Sequence, residues 1–492
     1  MKNILLISPV CGSKRMPEVY NIGLAYLASV LVAEGHKVDI LDLNLHSLAF
    51  GDALGLIRSR GRYDAIGIGS IITTFRYVRA LIEGIKRIYP DIPVWVGNSV
   101  ASTIPELFLK NTGADVVVIG EGEITAKELA ADKEWADIRG IAYWKNGVIV
   151  KNPPRETIED LDTIPFPAYY LFDAELYMLG GGYRFGKKSL TLGVSSRGCP
   201  YKCTYCYHAF QGMKVRYHSP ERMISEVENA MRRYTFDIFT WADDLFISSR
   251  SRVIEFCDLL EELKIKKKWN VSARVNLVDE DLLKRMKSAG CILLSFGVES
   301  GSQKILDNIR KRVTVEQNRK ALELCRRVGI DYEFSLMTGN VGEDRGTVRD
   351  TVELAKWAGR APSLFIATPY PGTELYDYGL RTGKIVDEIA LIESYSEQSE
   401  KLLVNFSNMS DEELLTVKRD AEKEMKRHVL LRNPLSPLRH AVRDLMLYVK
   451  LYGYGLTFLR GIQKIVRALT GRKEYKLRAL TKRSEGKVRM FE

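Results

Sequence analysis

The sequence predicts an α/β protein in three successive parts: a doubly wound parallel sheet, a partial β/α barrel of six strands, and a helical C-terminal region. Three observations predict it. Short apolar runs alternate with helical patterns from residue 1 to about 130, and a second such series starts at Leu190 and continues to about 380. The runs of the first series are apolar throughout, as in strands covered on both faces. With 492 residues, 46% hydrophobic and 27% charged, the chain can fill more than one core, which excludes disordered, collagen-like and disulfide-scaffold classes.

In the first part, residues 1–150, the strand runs are Ile4–Ile7, Val38–Leu41, Ala65–Gly69, Val94–Gly97 and Val116–Gly120, with helical patterns at Leu24–Val32 and Tyr77–Ile88. Such a Rossmann-like sheet binds ligands at the carboxyl ends of its strands. There the sequence places Ser8-Pro9, Ser70, Gly97-Asn98 and Gly120-Glu121-Gly122-Glu123, small enough to leave room for a large flat ligand. A hairpin is expected across Ile138–Ala142 and Val148–Val150, around Lys145-Asn146-Gly147. Residues 151–187, with Pro153-Pro154 and Pro165-Phe166-Pro167, read as a linker.

The second part, residues 188–380, offers strands at Thr191–Ser195, Asp237–Trp241, Asn270–Ala273, Ile292–Gly297, Tyr332–Leu336 and Leu364–Thr368. Helical patterns at Glu221–Tyr234, Arg250–Leu263, Glu280–Ala289 and Val315–Val328 fill the gaps, a (β/α)6 arrangement whose chemistry belongs at the strand carboxyl ends.

The third part, residues 381–492, opens a charged helix at Asp411 and ends it at Asn433-Pro434. From Lys426 onward there are 17 basic and 4 acidic residues, against 56 basic and 58 acidic before it, so the tail carries the charge of a neutral body. Between Pro437 and Leu469, apolar residues recur at helical spacing among Arg and Lys. That pattern suits a peripheral helix on an anionic membrane and equally a helical pair packed on the barrel. Leu445–Leu459, interrupted by Lys450, is shorter than the ~18 to 20 residues of a spanning helix. No recognised nucleic-acid module accompanies the charge. Seven cysteines, unevenly placed, and an N-terminus without a signal-peptide pattern predict a cytoplasmic protein.

Three of those cysteines form Cys199-Pro-Tyr-Lys-Cys203-Thr-Tyr-Cys206, just after the first barrel strand. Three thiolates in eight residues can hold three corners of an iron–sulfur cube and leave the fourth iron open to substrate. Zinc would need a fourth ligand, for which His208 is at hand. Cys257, Cys291 and Cys325 read as buried small hydrophobes.

The triplet with Tyr205 resembles the radical S-adenosylmethionine (SAM) superfamily. Gly212–Arg216, Ser219-Pro-Glu221, Trp241-Ala-Asp243-Asp244, Gly297-Val-Glu299-Ser-Gly301 and Thr368–Thr373 resemble its subgroup with an N-terminal cobalamin-binding domain, as do Asn21–Leu27 and Gly35–Asp42. The resemblance covers residues 1–380. It implies a 4Fe–4S cluster on Cys199, Cys203 and Cys206 that cleaves SAM to methionine and a 5′-deoxyadenosyl radical. It implies Tyr205 near adenine, Asp243 or Asp244 on the methionyl amine in place of the usual Gly-Gly-Glu, Arg274 on the methionyl carboxylate and Glu299 on the ribose. Cobalamin belongs in the first domain, near Ser70, Gly97, Asn98, Gly120 and Glu121. Asp-x-His-x-x-Gly is absent and neither His36 nor His46 fits it, so cobalt is expected to have no histidine ligand. Only Cys11 precedes Cys199, which argues against a methylthiotransferase and a transfer-RNA substrate.

The expected function is methylation of an unactivated carbon in a small-molecule or lipid-like substrate, with flavodoxin or ferredoxin as reductant. The alternative is a cyclase or bond-forming relative of lipid or tetrapyrrole metabolism without net methyl transfer. A cobalamin sensor is a third reading, against which the intact triplet speaks.

Overall fold

The computed structural model describes residues 1–10, 18–46, 50–181, 185–207, 214–395, 401–434 and Val442. The account below concerns the first of the chain's two units, Met1–Pro434; the second is Leu435–Glu492. Cys11, His208, Gly212 and, apart from Val442, the basic segment Pro437–Leu469 lie outside the described residues. Among those that are described, no helix is long and apolar enough to cross a membrane.

Strands β1 (Asn3–Ser8), β2 (Lys37–Asp42), β3 (Ala65–Gly69), β4 (Val94–Gly97) and β5 (Val116–Val118) run parallel. Strands β6 (Ile141–Lys145) and β7 (Val148–Lys151) extend the same sheet antiparallel, joined through Asn146 and Gly147 at φ 50° and 80° as a two-residue hairpin requires. The order β2-β1-β3-β4-β5-β6-β7 reverses direction between β1 and β3, where a doubly wound sheet opens its ligand crevice.

Alternation along the strands separates two apolar layers. Leu5, Ile7, Ile66, Ile68, Val94 and Val96 face helices Phe75–Ile88 and Pro105–Thr112. Ile4, Leu6, Ala65 and Trp95 face helices Ile22–Ala33 and Glu123–Ala130. On this second face β3 offers no side chain beyond Ala65, because Gly67 and Gly69 occupy the alternate positions.

The barrel sheet contains β8 (Ser189–Thr191), β11 (Ile238–Thr240), β12 (Lys268–Ala273), β13 (Cys291–Glu299), β14 (Asp331–Thr338) and β15 (Leu364–Ile366), all parallel and in that order. A short antiparallel pair, β9 (Ser196–Arg197) and β10 (Arg216–Tyr217), stands above it. The first barrel strand ends at Thr191, four residues before the expected Ser195. Beyond it, side chains take the backbone amides from the ladder: Gly193 N–H donates to Glu226 (2.7 Å), Val194 N–H to Tyr26 Oη (3.1 Å) and Ser195 N–H to Asp243 (2.7 Å). Tyr26 belongs to the first sheet's helix, so this loop is also a seam between the two sheets. A Cβ at Gly193 would clash with Tyr26 Oη and lie 3.0 Å from its Cζ.

Of the segment expected as a linker, residues 151–181 form a strap packed on the rest of the unit. It carries helix Ala174–Gly181 and buries Tyr169 and Tyr177, with Tyr20 packed against both. Helix Asp411–Arg432 packs Leu414, Ala421 and Met425 inward, and Lys356 pairs with its Glu424 at 2.8 Å.

Burial pushes the Glu226 carboxyl up to about 7, above its ordinary value of 4.5. The folded state therefore holds this proton more tightly than the unfolded chain. The stability it contributes is complete below the unfolded value and lost as pH rises through the folded one. Glu343, also pushed up to about 7 by burial, adds the same trend. Glu226→Gln should thus reduce, without abolishing, the fall in Tm between about pH 5 and pH 8; equal slopes in calorimetric scans of both proteins would contradict this.

Candidate active site

The carboxyl ends of the first sheet open onto the same space as the loops after β8 and β11. A cavity of about 530 Å³ lies there, lined by Gly69, Gly97, Asn98 and Gly120 on one side and by Val194, Gly198, Tyr207 and Asp244 on the other. Of the residues the sequence proposed for this end of the sheet, Gly97, Asn98, Gly120, Glu121, Gly122 and Glu123 line it. Ser70 does not. Its side chain is wholly buried facing Thr74, and its N–H donates to Gly97 O at 2.9 Å, tying β3 to β4.

Glu121 has its acceptors engaged by protein. Its carboxylate receives Arg197 (2.7 Å), Arg216 (3.0 Å to each oxygen) and the Ile158 N–H (2.7 Å), while Glu123 receives the other arm of Arg197 at 2.5 Å. Glu121, Glu123 and Arg216 are buried, and the Arg197 side chain is nearly so. Burial opposes charge on Arg197, but Glu123 and Glu121 outweigh it and hold its pKa above the ordinary arginine value. Expected as a cofactor contact, Glu121 lines the cavity and also fastens the β5 loop to the residue two places before Cys199.

The cysteine loop is pinned again in its middle, where Thr204 N–H donates to Ile309 O (3.1 Å) and Thr204 O accepts from Leu375 N–H (2.9 Å). Cys203 is buried, and Cys199 and Cys206 are half-buried. Burial, then Cys203, push the Cys206 thiol up to about 12, partly offset by Lys311; burial likewise raises Cys199. Three thiolates cannot share this pocket without cationic charge, which iron would supply. Among the described residues no three His, Cys, Asp or Glu side chains converge on a single metal ion.

The structure separates the two aspartates. Asp243 is buried and accepts from the N–H and hydroxyl of both Ser195 and Ser196. Asp244 is exposed, lines the cavity and is close enough to Cys199 and Cys206 to raise both thiols. Arg274 stacks on Tyr201 with its Cζ 3.5 Å from the ring centroid and offsets part of the rise that burial causes in the Cys199 thiol; its buried Nη2 has no hydrogen-bond partner. Tyr205 Oη donates to Glu299 Oε1 at 2.9 Å, and Lys311 Nζ donates to both at 3.0 Å. Lys311 lies outside the motifs that the sequence singled out.

These features fit the implied groups. The loop and its flanking Arg274 and Lys311 suit an anionic thiolate cluster, and the unsatisfied Nη2 of Arg274 suits a carboxylate. At the other end of the cavity, Gly67 leaves a gap that a Cβ would close, at 2.6 Å from Leu6 Cδ2, and the buried indole N–H of Trp95 has no partner. An apolar slot with one free donor suits a large aromatic ligand with a ring nitrogen. Among the described residues no histidine lines the cavity; His36 accepts from Lys2 N–H at the opposite end of the sheet.

The B12 binding domain model matches residues 10–130 and the Radical SAM superfamily model residues 194–355. An uncharacterized methyltransferase of Pyrococcus horikoshii is 32% identical over 428 residues, 82% of this chain and 91% of that one. The chain belongs to the cobalamin-binding-domain radical SAM enzymes. An anaerobic magnesium-protoporphyrin IX monomethyl ester cyclase of Rubrivivax gelatinosus is 28% identical over 72% of this chain, which spans 65% of that relative. The radical SAM methyltransferase TsrM of Kitasatospora setae, solved with cobalamin and a 4Fe–4S cluster, shares the fold: TM-score 0.66, 16% identity, 87% of this chain and 88% of that one.

In this radical SAM enzyme the aspartates are expected to separate on mutation. Asp243→Asn should cost about 1–3 kcal/mol of stability by disturbing the loop that it caps. Asp244→Asn should leave Tm unchanged and weaken SAM binding about tenfold. Calorimetry with the cluster-loaded protein reads both quantities, and the reverse pattern would contradict the assignment.

Proposed function

We propose that this chain is a methyltransferase that adds a carbon to an unactivated position of a small-molecule or lipid-like substrate. The observation that carries this reading is a cavity bounded by both the first sheet and the cysteine loop, so that a substrate within it would face both sets of residues at once. When bound, the cluster with SAM supplies a hydrogen-abstracting radical, and cobalamin supplies a transferable methyl group.

The chain's own residues bind, orient and exclude water. Asp244 attracts a cationic amine, Arg274 a carboxylate and Glu299 ribose hydroxyls, which together fix SAM above the three thiols. Gly97, Asn98 and Gly120 shape the opposite wall, where Asn98 holds φ 80° and ψ −169°, a backbone geometry glycine tolerates better. Tyr26, seated against Val194, and Tyr207 close the cavity between the two walls. A flavodoxin or ferredoxin is the reductant in this reading, and a membrane-borne substrate would suit the basic C-terminal segment.

The name of the cyclase relative favours a second reading, a bond-forming reaction without net methyl transfer. Anaerobic reconstitution with SAM labelled at its methyl group, followed by mass spectrometry of products from candidate substrates, separates the two. Methylation predicts a labelled one-carbon gain together with deoxyadenosine, and loss of both in Cys203→Ala. A product that loses hydrogen or gains a ring without label would favour the second reading. An assembled cluster that yields no deoxyadenosine under strong reductant would favour a cobalamin sensor.

A further inference from the structure

Lys311 follows the short helix Gln303–Asn308, outside the strand ends to which the chemistry was assigned, yet the fold goes to some length to place it. It is 7% exposed and flanked by Arg310 and Arg312, both in left-handed backbone at φ 50° and 52°. Two consecutive costs of this kind around one non-glycine residue persist only where surrounding contacts over-determine the conformation. Its partner is placed by similar means. Glu299 ends β13 at φ 67°, where the ladder to β14 shifts register between Gly297 and Glu299. A Cβ at Gly297 would clash with Glu299 Oε1 and lie 2.9 Å from Lys311 Nζ, so glycine there makes room for the pair.

The contacts divide the labour of the Glu299 carboxylate. Oε1 accepts from both Lys311 Nζ and Tyr205 Oη. Neither of these donors engages Oε2. Tyr205 also lies one residue before Cys206 and two after Cys203, so the same three groups tie the carboxylate to the cysteine loop.

We propose that Lys311 is a positioning residue for SAM. It orients the buried Glu299 carboxylate through Oε1, leaving Oε2 to accept from the ribose hydroxyls, and through Tyr205 it links SAM occupancy to the geometry of the cluster loop. The proposal rests on the assignment of Glu299 to the ribose.

Its test is a binding cycle on the full chain, reconstituted anaerobically with iron and sulfide, using SAM itself as probe. Lys311→Met is expected to retain the iron content of the unmodified protein, to weaken SAM binding at least tenfold and to diminish the change that SAM causes in the EPR spectrum of the reduced cluster. Tyr205→Phe, which keeps the packed ring, should weaken binding about threefold and diminish the same spectral change. In a Glu299→Gln background, Lys311→Met should add less than a twofold further effect, since its target carboxylate is gone. Glu299→Gln that binds SAM normally would refute the assignment of Glu299. Glu299→Gln that binds weakly, with Lys311→Met or Tyr205→Phe still binding within twofold of the unmodified chain, would overturn the role of Lys311. Should Lys311→Met fail to fold, Tyr205→Phe and Glu299→Gln decide the matter by the same criteria.

Discussion

The buried contact between Glu121 and Arg197 is the constraint on which the arrangement of this enzyme depends. Glu121 follows the fifth strand of one sheet; Arg197 lies in the short β9 that comes after the first strand of the other, and Cys199 follows it by two residues. Glu123 and Arg216 complete a network of two carboxylates and two guanidiniums, so that no net charge is buried. Networks of this kind contribute little net stability over a well-packed apolar substitute, because desolvation consumes most of the Coulombic gain. What it provides here is registry. A hydrophobic seam could slide, whereas paired guanidinium and carboxylate groups admit few arrangements.

That registry matters because the chemistry is shared between two walls. The sheet supplies glycines at its carboxyl ends and a slot beneath Trp95. The barrel supplies three thiols, of which Cys199 and Cys206 are raised by burial above the ordinary thiol value. Cationic and anionic side chains are distributed around those thiols with different tasks: Arg274 with an unsatisfied nitrogen, Asp244 exposed to the cavity, and Lys311 held against Glu299. Substrate chemistry would then be decided by what fills the space between the walls.

Much of this was legible in the residues because parallel strands buried on both faces leave an unambiguous apolar signature. Five of the six barrel strands and the four helical patterns named between them lie where the sequence put them, the first strand, Ser189–Thr191, meets its expected span only at Thr191, and the cysteine triplet falls on the loop beyond it. The failures share a cause. Ser70 was chosen for standing at a strand end, but a strand end also meets its neighbouring elements, and its partner Gly97 lies far away in the chain; Glu121 does line the cavity, and distance in the chain hid only its pairing with Arg197 and Arg216. The early end of β8 has the same origin, since Tyr26 and Asp243 capture its amides from a distance. Lys311 carried no local signal, and two basic neighbours hid it. The alternation Ile66-Gly67-Ile68-Gly69 did carry one: period-two glycine marks a strand face left open.

The central claim is that one cavity serves both redox centres at a separation fixed by the Glu121–Arg197 contact. Pulsed EPR on anaerobically prepared protein carrying cobalamin in its cobalt(II) state and the reduced cluster measures it most directly. The account predicts a single, narrow distribution of dipolar coupling between the two spins, broadened or lost in Arg197→Met. Two spins without measurable coupling in the unmodified protein, or a distribution unaffected by the substitution, would contradict it.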